Sequence, residues 1–332
     1  MTGYLLLRSP SANRVYTDES AGLAAAELAV TAAFASGVEP LTLAGVSYLG
    51  FSAERPDLAV LARQSSALAL FERSGDLLRP VELPAANLFD DDLVTIPKYQ
   101  GKTNEQFTRL LLNVTLAAVE RPFDGPRQIL DPLAGRGTTL TTAWLSGHDG
   151  FGVEADEKSF EAMAAFLTTW LRRKRLKHKA GITPVRREGK SIGRRFDAEV
   201  QAGKATLRLG VFTGDTRDSA ALFGRKKFDA VITDAPYGVV HGSSSDVRGT
   251  FGKRDRSPAG LLKASIPVWA SQLKRGGALG ISWNTYGLAR EDLAGIMTGA
   301  GLRVREGGPW EGFAHRVDSA IKRDLMVAVS PR

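Results

Sequence analysis

The sequence contains no cysteine, which excludes disulfides, thiolate zinc sites and cysteine nucleophiles. Its four histidines, at 148, 178, 241 and 315, lack metal-ligand spacing, so we expect no metal site. No apolar run approaches the roughly 20 residues that a membrane-spanning helix needs. The opening residues MTGYLLLR also lack the charged start, long apolar centre and cleavage site of a signal peptide. We therefore expect a cytoplasmic protein that does not bind membranes.

Acidic residues are outnumbered by basic residues in only one part of the chain. Residues 1–95 hold 6 Lys/Arg against 12 Asp/Glu, a net charge of −6. The remaining residues, 96–332, hold 38 Lys/Arg against 24 Asp/Glu, a net charge of +14. At 332 residues, two domains are expected, and the charge divides along the same line. The basic second part is suited to a polyanionic partner such as nucleic acid.

The first 72 residues predict a small α+β domain. Apolar periodicity indicates strands at 4–8 and 67–71, one or two strands at 41–53, and helices at 21–35 and 56–64. The order β-α-β-β-α-β is typical of a ferredoxin-like unit. Residues 73–95 are interpreted as a linker that contains at most one strand, at 77–83.

An apolar run at 230–232 is followed by T-D-A-P-Y-G, residues 233–238. Asp234 can accept a hydrogen bond from an exocyclic amino group, and the ring of Tyr237 can stack on a flat heterocycle. Pro236 fixes the backbone between them. Taken alone, the motif also fits an ordinary strand-to-helix turn. Its interpretation depends on the other turns of the chain.

A second unusual turn lies at 128–139, where an apolar strand ends at Asp131-Pro132 and Gly135 and Gly137 follow. The glycines allow a tight turn and close approach of a ligand to the backbone. Thr138 is predicted to cap a helix over 139–145. Leu140 occupies the third glycine position of a dinucleotide fingerprint, and no Gly-Lys-Ser/Thr follows. The turn therefore suits a ligand with a charged amino group better than a pyrophosphate.

Two further predicted strands end at acids. Residues 150–153 lead to Glu154 and Asp156, and residues 207–211 lead to Asp215. An acid after the second strand of a doubly wound sheet can accept hydrogen bonds from ribose hydroxyls. Asp215 can accept from an adenine amino group. Four strand ends thus place acids at the edge where open α/β sheets bind ligands.

In order, D-P-L-A-G-R-G-T, G-V-E-A-D, T-G-D and D-A-P-Y-G resemble motifs of class I S-adenosylmethionine-dependent methyltransferases that act on exocyclic amino groups. Within that class the chain is most similar to the THUMP-associated tRNA (guanine-N2) methyltransferases. Residues 97–104 resemble the segment that packs beside the cofactor in that family, and 314–329 resemble its closing hairpin. The resemblance covers residues 96–330.

The resemblance implies an α/β protein, with a Rossmann-like class I methyltransferase sheet over 96–332 behind the ferredoxin-like domain. It implies S-adenosylmethionine as cofactor and tRNA as partner. The implied catalytic residues are Asp234, Ala235, Pro236 and Tyr237. The implied cofactor residues are Asp131, Pro132, Gly135, Gly137, Thr138, Glu154, Asp156, Asp215 and Asp234. Two departures stand out: the family usually has proline where this chain has Ala235, and a complete THUMP domain does not fit.

The densest charge lies in the insertion 171–196. From Arg172 to Arg195 it carries eleven Lys/Arg and one acid, Glu188. A solvated surface segment is one interpretation, and a phosphate-binding arm is the one we favour because balancing acids are missing. A loop at 242–257 is interpreted either as a flap over the target base or as a plain loop. The predicted RNA-binding residues are Arg172, Arg173, Lys174, Arg175, Lys177, Arg186 and Arg187.

Two alternatives remain open from the sequence. The same acid-proline-aromatic turn serves amino methyltransferases of adenine or cytosine in DNA. A non-catalytic RNA-binding scaffold is the other, although a scaffold needs neither Asp234 nor the acids at the other strand ends. The target nucleotide, the oligomeric state and any small activating protein partner are not predicted.

Overall fold

A computed structural model describes residues 1–11, 14–122, 125–187, 189–236 and 258–331. The N-terminal part forms an antiparallel sheet in the order β2-β3-β1-β4-β5. The order of its first four strands is that of the predicted ferredoxin-like unit. The elements are β1 (Thr2–Arg8), α1 (Arg14–Thr31), β2 (Ser36–Leu43), β3 (Val46–Ala53), α2 (Leu58–Ala62), β4 (Ala67–Ser74) and β5 (Leu77–Val81).

Residues 73–95 are more structured than the linker that the sequence predicts. Strand β5 lies where the sequence predicts one strand, at 77–83, and it pairs with β4, so that it extends the small sheet. Helix α3 (Asp92–Thr95) buries Leu93 and Val94 in a cluster that contains Leu140 and Trp144. This stretch therefore packs against the second sheet domain instead of spanning open solvent.

The second part alternates helices and strands. In chain order they are α4 (Glu105–Ala117), β6 (Gln128–Asp131), α5 (Thr138–Leu145), β7 (Asp149–Glu154), α6 (Glu157–Arg173), β8 (His178–Arg187), β9 (Lys190–Ala202), β10 (Ala205–Thr213), α7 (Ser219–Phe223), β11 (Phe228–Asp234), α8 (Pro258–Ser271), β12 (Leu273–Asn284), α9 (Arg290–Gly299), β13 (Arg303–Val304), β14 (His315–Arg316) and β15 (Lys322–Val329).

These strands form one sheet in the order β13-β15-β12-β11-β6-β7-β10-β9-β8, and β14 pairs with β15. The centre, from β12 to β10, is parallel, and β15 runs antiparallel to β12. Without β8, β9 and β14 this is the strand order of the class I methyltransferase fold. The predicted fold class is confirmed.

Alternating side chains of the central strands bury the two faces of the sheet. Ile129, Ala230 and Ile232 pack in the cluster formed with α4 and α1, whereas Leu130 and Val231 pack in the cluster formed with α8 and α9. This period of two is what a strand covered on both faces requires. Rigid layers on both sides hold the strand ends, and with them the acids, in fixed positions.

The insertion 171–196 is not a loop. After α6 ends, the strands β8 and β9 form an antiparallel hairpin, and β9 pairs with β10. Phe196, Ala198 and Val200 of β9 are buried in the cluster that contains residues of α6. The hairpin therefore widens the sheet by two strands.

Helix α1 joins the two parts. It begins at Arg14 and ends at Thr31, earlier at both ends than the prediction of 21–35. Leu23 and Ala26 pack in one cluster with Leu110 of α4, while Leu28 belongs to the core of the small sheet. Among the described residues, no helix is both long and apolar enough to cross a membrane.

Candidate functional site

Four predicted acids meet at the carboxyl edge of the sheet, around two adjoining cavities of about 190 and 330 Å³. Asp234 lines both cavities, Asp131 lines the smaller, and Glu154 and Asp215 line the larger. The two cavities also share Leu133, Gly135 and Pro236. Together they form one cleft, which extends from the end of β11 across β6 to β7 and β10.

Asp131 is held by neutral partners. It is only 2% exposed, and its Oδ1 accepts hydrogen bonds from the Thr233 hydroxyl at 2.8 Å and the Leu133 N–H at 3.1 Å. Burial raises the pKa of Asp131 to about 6, and the nearby charge of Asp234 acts in the same direction. A cationic group in the cleft would favour its ionised form.

Glu154 closes the glycine turn from the neighbouring strand. Its Oε2 accepts from the Gly135 N–H at 2.6 Å, and its Oε1 accepts from the Asp156 N–H at 2.7 Å. Burial raises the pKa of Glu154 to about 7, against these bonds and together with the charges of Asp156 and Asp131. Asp156 itself caps α6, because its Oδ2 accepts from the Ser159 N–H at 2.9 Å.

Gly137 shapes the turn between β6 and α5. With φ at +83° it lies in the left-handed region, and an added Cβ would lie 2.6 Å from Met163 Sδ. Gly137 is also the N-cap of α5, so the prediction that Thr138 caps this helix is wrong by one residue. The left-handed glycine turns the chain early enough for Thr138 to be the first helical residue.

Thr138 instead contacts the segment before α4. Its hydroxyl lies 2.8 Å from the Tyr99 hydroxyl, and the Arg136 guanidinium stacks over the Tyr99 ring at 4.9 Å. Asn104 caps α4 through the Phe107 N–H, at 3.1 Å. The predicted cofactor-side segment therefore forms a wall of the smaller cavity, to which Tyr99 contributes.

Asp234, at the end of β11, is fixed on both carboxylate oxygens. The Ser282 hydroxyl donates to Oδ1 and the Thr103 hydroxyl donates to Oδ2. Arg323 Nη2 lies 3.8 Å from Oδ2, and its guanidinium stacks over the Phe107 ring at 4.6 Å.

Ser282 and Arg323 were not predicted from the sequence. Ser282 lies opposite Asp234 in the ladder between β11 and β12, and Arg323 belongs to β15. Pairing of strands that are distant in the chain creates these contacts. Thr103 and Arg323 stand within the segments 97–104 and 314–329 that the family resemblance singled out, whereas Ser282 lies in neither.

The residues after Asp234 form the mouth of the cleft. The Ala235 N–H donates to the Ser282 carbonyl at 2.8 Å, which holds Ala235 in a buried position. Pro236 is exposed. Pro132, the proline of the neighbouring turn, lines the larger cavity. Tyr237 and the proposed flap 242–257 lie outside the described residues.

Asp215 has a partner within its own turn. Arg217 donates its N–H and its Nε–H to Oδ1, both at 2.8 Å, and its Nη2 also reaches Oδ2. The hydrogen bonds from the Arg217 side chain hold the pKa of Asp215 below its usual range. A ligand that bonds to Asp215 would have to share this carboxylate with Arg217.

The predicted RNA-binding residues divide between the two edges of the sheet. Helix α6 runs from the cleft to the amino edge, and β8 returns to the carboxyl edge. Arg186 and Arg187 therefore stand at the cleft side. At the opposite edge, about 30 Å away at 3.3 Å per strand residue, lie Arg172, Arg173, Lys174, Arg175 and Lys177.

Lys174, one of the predicted RNA-binding residues, has acidic partners within the protein. Its ammonium group makes salt bridges of 2.6 Å with both Asp90 and Asp92. The acids that balance this cation of the insertion, Asp90 and Asp92, are thus distant from it in sequence. The salt bridges join the end of α6 to the stretch that precedes α3.

This cleft has the character of a site for a cationic ligand with hydroxyl groups. Three carboxylates, of Asp131, Glu154 and Asp234, face one space, and burial disfavours the charge of two of them. Ionised carboxylates accept hydrogen bonds only, so hydroxyl and amino groups are suitable partners. Within the described ranges, no cluster of three His, Cys, Asp or Glu suits a metal ion.

No family model and no curated protein matches the chain. Among solved structures it is similar to TrmN from Thermus thermophilus, with 14% identity over 88% of this chain and 59% of that one, at a TM-score of 0.41. It is also similar to a magnesium protoporphyrin IX methyltransferase from Synechocystis PCC 6803 with bound SAM, with 16% identity over 70% and 86% of the two chains, at a TM-score of 0.40. A TehB-like SAM-dependent methyltransferase from Corynebacterium glutamicum is 14% identical over 63% and 83% of the chains, at a TM-score of 0.34. Similarities of this size do not assign a substrate.

Proposed function

We propose that this protein is an S-adenosylmethionine-dependent methyltransferase that acts on an exocyclic amino group, the N2 amine of guanine in tRNA. One observation carries the proposal. Asp131, Glu154 and Asp234 end adjacent parallel strands around one cleft, and Asp234 continues directly into Ala235-Pro236 at its mouth.

The residues present fit the cofactor. Glu154, whose oxygens already hold the glycine turn, would accept from ribose hydroxyls in the larger cavity, where Asp215 would accept from the adenine amino group. Asp131 would lie beside the ammonium group in the smaller cavity. When bound, the cofactor supplies an electrophilic methyl group on a sulfonium centre.

Asp234 would orient the substrate amine. An exocyclic amine is a poor nucleophile because its lone pair is delocalised into the ring. The carboxylate of Asp234 and the carbonyl of Ala235 would accept the two amine protons, localise the lone pair and direct it into the cleft. The Ser282 and Thr103 hydroxyls keep Asp234 in one orientation, so the acceptor is already in position when the base arrives.

The choice of tRNA rests on charge and on the resemblance of the motifs. Residues 96–332 carry a net charge of +14, which suits a polyanionic substrate. A base flipped out of an RNA helix would place its amine against Asp234, and Tyr237 would stack on its ring. A protein partner, if one activates the enzyme, is outside this proposal.

The test separates methyl transfer from cofactor binding. Asp234→Ala should bind S-adenosylmethionine within about threefold of wild type and lose at least about 100-fold in methyl transfer, because positioned groups of this kind contribute that much to the rate. Tyr237→Ala should lose activity by about 1–3 kcal/mol of base stacking. Calorimetric titration measures binding, and transfer of labelled methyl groups to tRNA from a strain lacking the protein measures activity.

Each alternative has its own outcome in the same assay. Methylation of genomic DNA but not of tRNA would replace the proposed substrate. A wild-type protein that binds RNA and transfers no methyl group to it would be the scaffold. Substantial turnover by Asp234→Ala on RNA would contradict the mechanism, and mass mapping of the methylated nucleoside would test guanine N2.

A further inference from the structure

The β8–β9 hairpin is longer than the strand against which it packs. Strand β9 pairs with β10 from Ala202, opposite Ala205, to Arg195, opposite Phe212. The hairpin ladder continues to Arg187, opposite Lys190. Four residues, from Gly193 back to Lys190, thus extend beyond Thr213, the last residue of β10, a projection of about 13 Å at 3.3 Å per residue. We call residues 184–187 and 189–194 the hairpin tip.

The hairpin tip projects on the cleft side. Thr213, the last residue of β10, lies opposite Glu154 in the parallel ladder with β7. Strand β9 runs antiparallel to β10, so its first residues stand past this carboxyl edge. The turn that follows Thr213 contains Gly214 and Asp215, which line the larger cavity. The hairpin tip therefore rises beside the larger cavity, at the end of the cleft that Gly214 and Asp215 line.

The base of the hairpin tip is anchored. The Arg194 N–H donates to Thr213 Oγ1 at 2.8 Å. The Arg194 guanidinium contacts Glu161 at 2.9 Å and Glu157 at 3.5 Å, and it stacks over the Phe160 ring at 5.5 Å. The positive charge of Arg194 is thus used within the protein, where it fixes the direction of the projection.

The other cations of the hairpin tip are Arg186, Arg187 and Lys190, and the sequence between them holds one acid, Glu188. Arg186 is exposed, and Ile192, on the strand opposite, is 43% exposed. Cations on a narrow projection, with an exposed apolar side chain on one of its two strands, suit the sugar-phosphate backbone of a nucleic acid and the face of a base.

We propose that the hairpin tip binds the phosphate backbone of the RNA substrate and guides the target nucleotide into the cleft. The proposal rests on the proposed function and specifies how that site selects a macromolecular substrate. It excludes the cations at the amino edge, which lie about 30 Å from the hairpin tip at 3.3 Å per strand residue.

Two triple variants with the same change in charge test this assignment. The tip variant is Arg186→Gln, Arg187→Gln and Lys190→Gln. The control is Arg172→Gln, Arg173→Gln and Lys177→Gln, all exposed at the opposite edge. Filter binding of tRNA across a salt series gives affinity and salt slope, and calorimetric titration with S-adenosylmethionine reports the state of the cleft.

The tip variant should bind tRNA at least about 10-fold more weakly at 0.1 M salt, and its slope of log affinity against log salt should flatten by about two units. Its affinity for S-adenosylmethionine should not change. The control should keep a slope within about half a unit of wild type. KM for tRNA should rise in the tip variant much more than kcat falls.

Equal losses in both triple variants, or an unchanged slope in the tip variant, would overturn the proposal while leaving the methyltransferase assignment intact. Equal competition by duplex DNA of matched length for the hairpin tip would overturn the assignment to RNA. A wild-type protein that neither binds nor methylates tRNA would remove the proposed function itself, and the hairpin-tip proposal with it.

Discussion

At the scale of single residues, the cleft contains carboxyl groups whose ionisation is unfavourable. Asp131 is buried and Glu154 is half-buried among N–H and hydroxyl donors, and burial raises the pKa of Glu154 from its ordinary 4.5 to about 7. Between these two values the folded protein holds a proton that the unfolded chain releases. The contribution of Glu154 to the free energy of unfolding therefore falls as pH rises from 4.5 to 7. A cationic ligand compensates for that cost.

This linkage predicts how cofactor affinity depends on pH. Affinity for S-adenosylmethionine should rise about 25-fold between pH 5.5 and 7.5 from Glu154 alone, because this group, with a pKa of about 7, must lose its proton to accept from ribose hydroxyls. Calorimetric titration over this range measures the effect. Glu154→Gln should bind more weakly and leave only the smaller rise centred near pH 6 that comes from Asp131. A wild-type affinity that is constant with pH would contradict the assignment of Glu154.

Gly137 predicts a second effect at this scale. Gly137→Ala should destabilise the protein by about 2–4 kcal/mol, since it adds a collision with Met163 to the cost of a left-handed alanine. Gly135→Ala is the matched control, because its Cβ would meet open space at a similar φ of +54°. It should cost only about 1–2 kcal/mol. Urea unfolding measures both, and in a double-mutant cycle Gly137→Ala should cost less in a Met163→Ala background than in wild type.

At the scale of elements, the sequence predicted what short-range patterns determine. Each strand that ends at an acid was located, because apolar runs followed by Gly, Pro or Asp are local signals. The β8–β9 hairpin was not predicted, since its cations obscure the alternation of Phe196, Ala198 and Val200. Its stability depends on burial against α6, which no local pattern reports.

The same division applies to the candidate site. Asp234 could be singled out from its own motif, whereas the Ser282 hydroxyl and Arg323 reach it only through the pairing of β11 with β12 and of β12 with β15. The acidic partners of Lys174 were not predicted, because they stand more than eighty positions earlier in the chain. Which residues contact each other across long separations in the chain could not be predicted from the sequence.

At the scale of the whole molecule, the two parts are built around a shared buried charge. Glu27 of α1 is 0% exposed, and it accepts from the Ser65 N–H at 3.0 Å and from Asn113 Nδ2 of α4 at 2.7 Å. Burial raises the pKa of Glu27 to about 7. Since Ser65 belongs to the small sheet domain and Asn113 to the large one, this carboxyl group ties the domains together.

We therefore expect the two domains to unfold together. Glu27→Ala leaves the Ser65 and Asn113 donors without their acceptor and should cost about 2–4 kcal/mol. Glu54→Ala, at an exposed position of the same domain, should change the free energy of unfolding by less than about 0.5 kcal/mol. Calorimetry should give one transition for wild type and for both variants. Two separated transitions in wild type would show that the domains are independent.

The order of strands also shows which sheet edges could pair with another copy of the chain and lead to aggregation. The small sheet ends at β2 and β5, and the large one ends at β8 and at β13, which has only two residues. Each of the three longer edge strands contains a proline, at Pro40, Pro80 and Pro184. Proline cannot donate a ladder hydrogen bond, so a strand from another chain would find an interrupted template at each of these edges. The edge prolines thus oppose edge-to-edge aggregation of a protein that has two open sheets, including at β8, the outer strand of the basic hairpin.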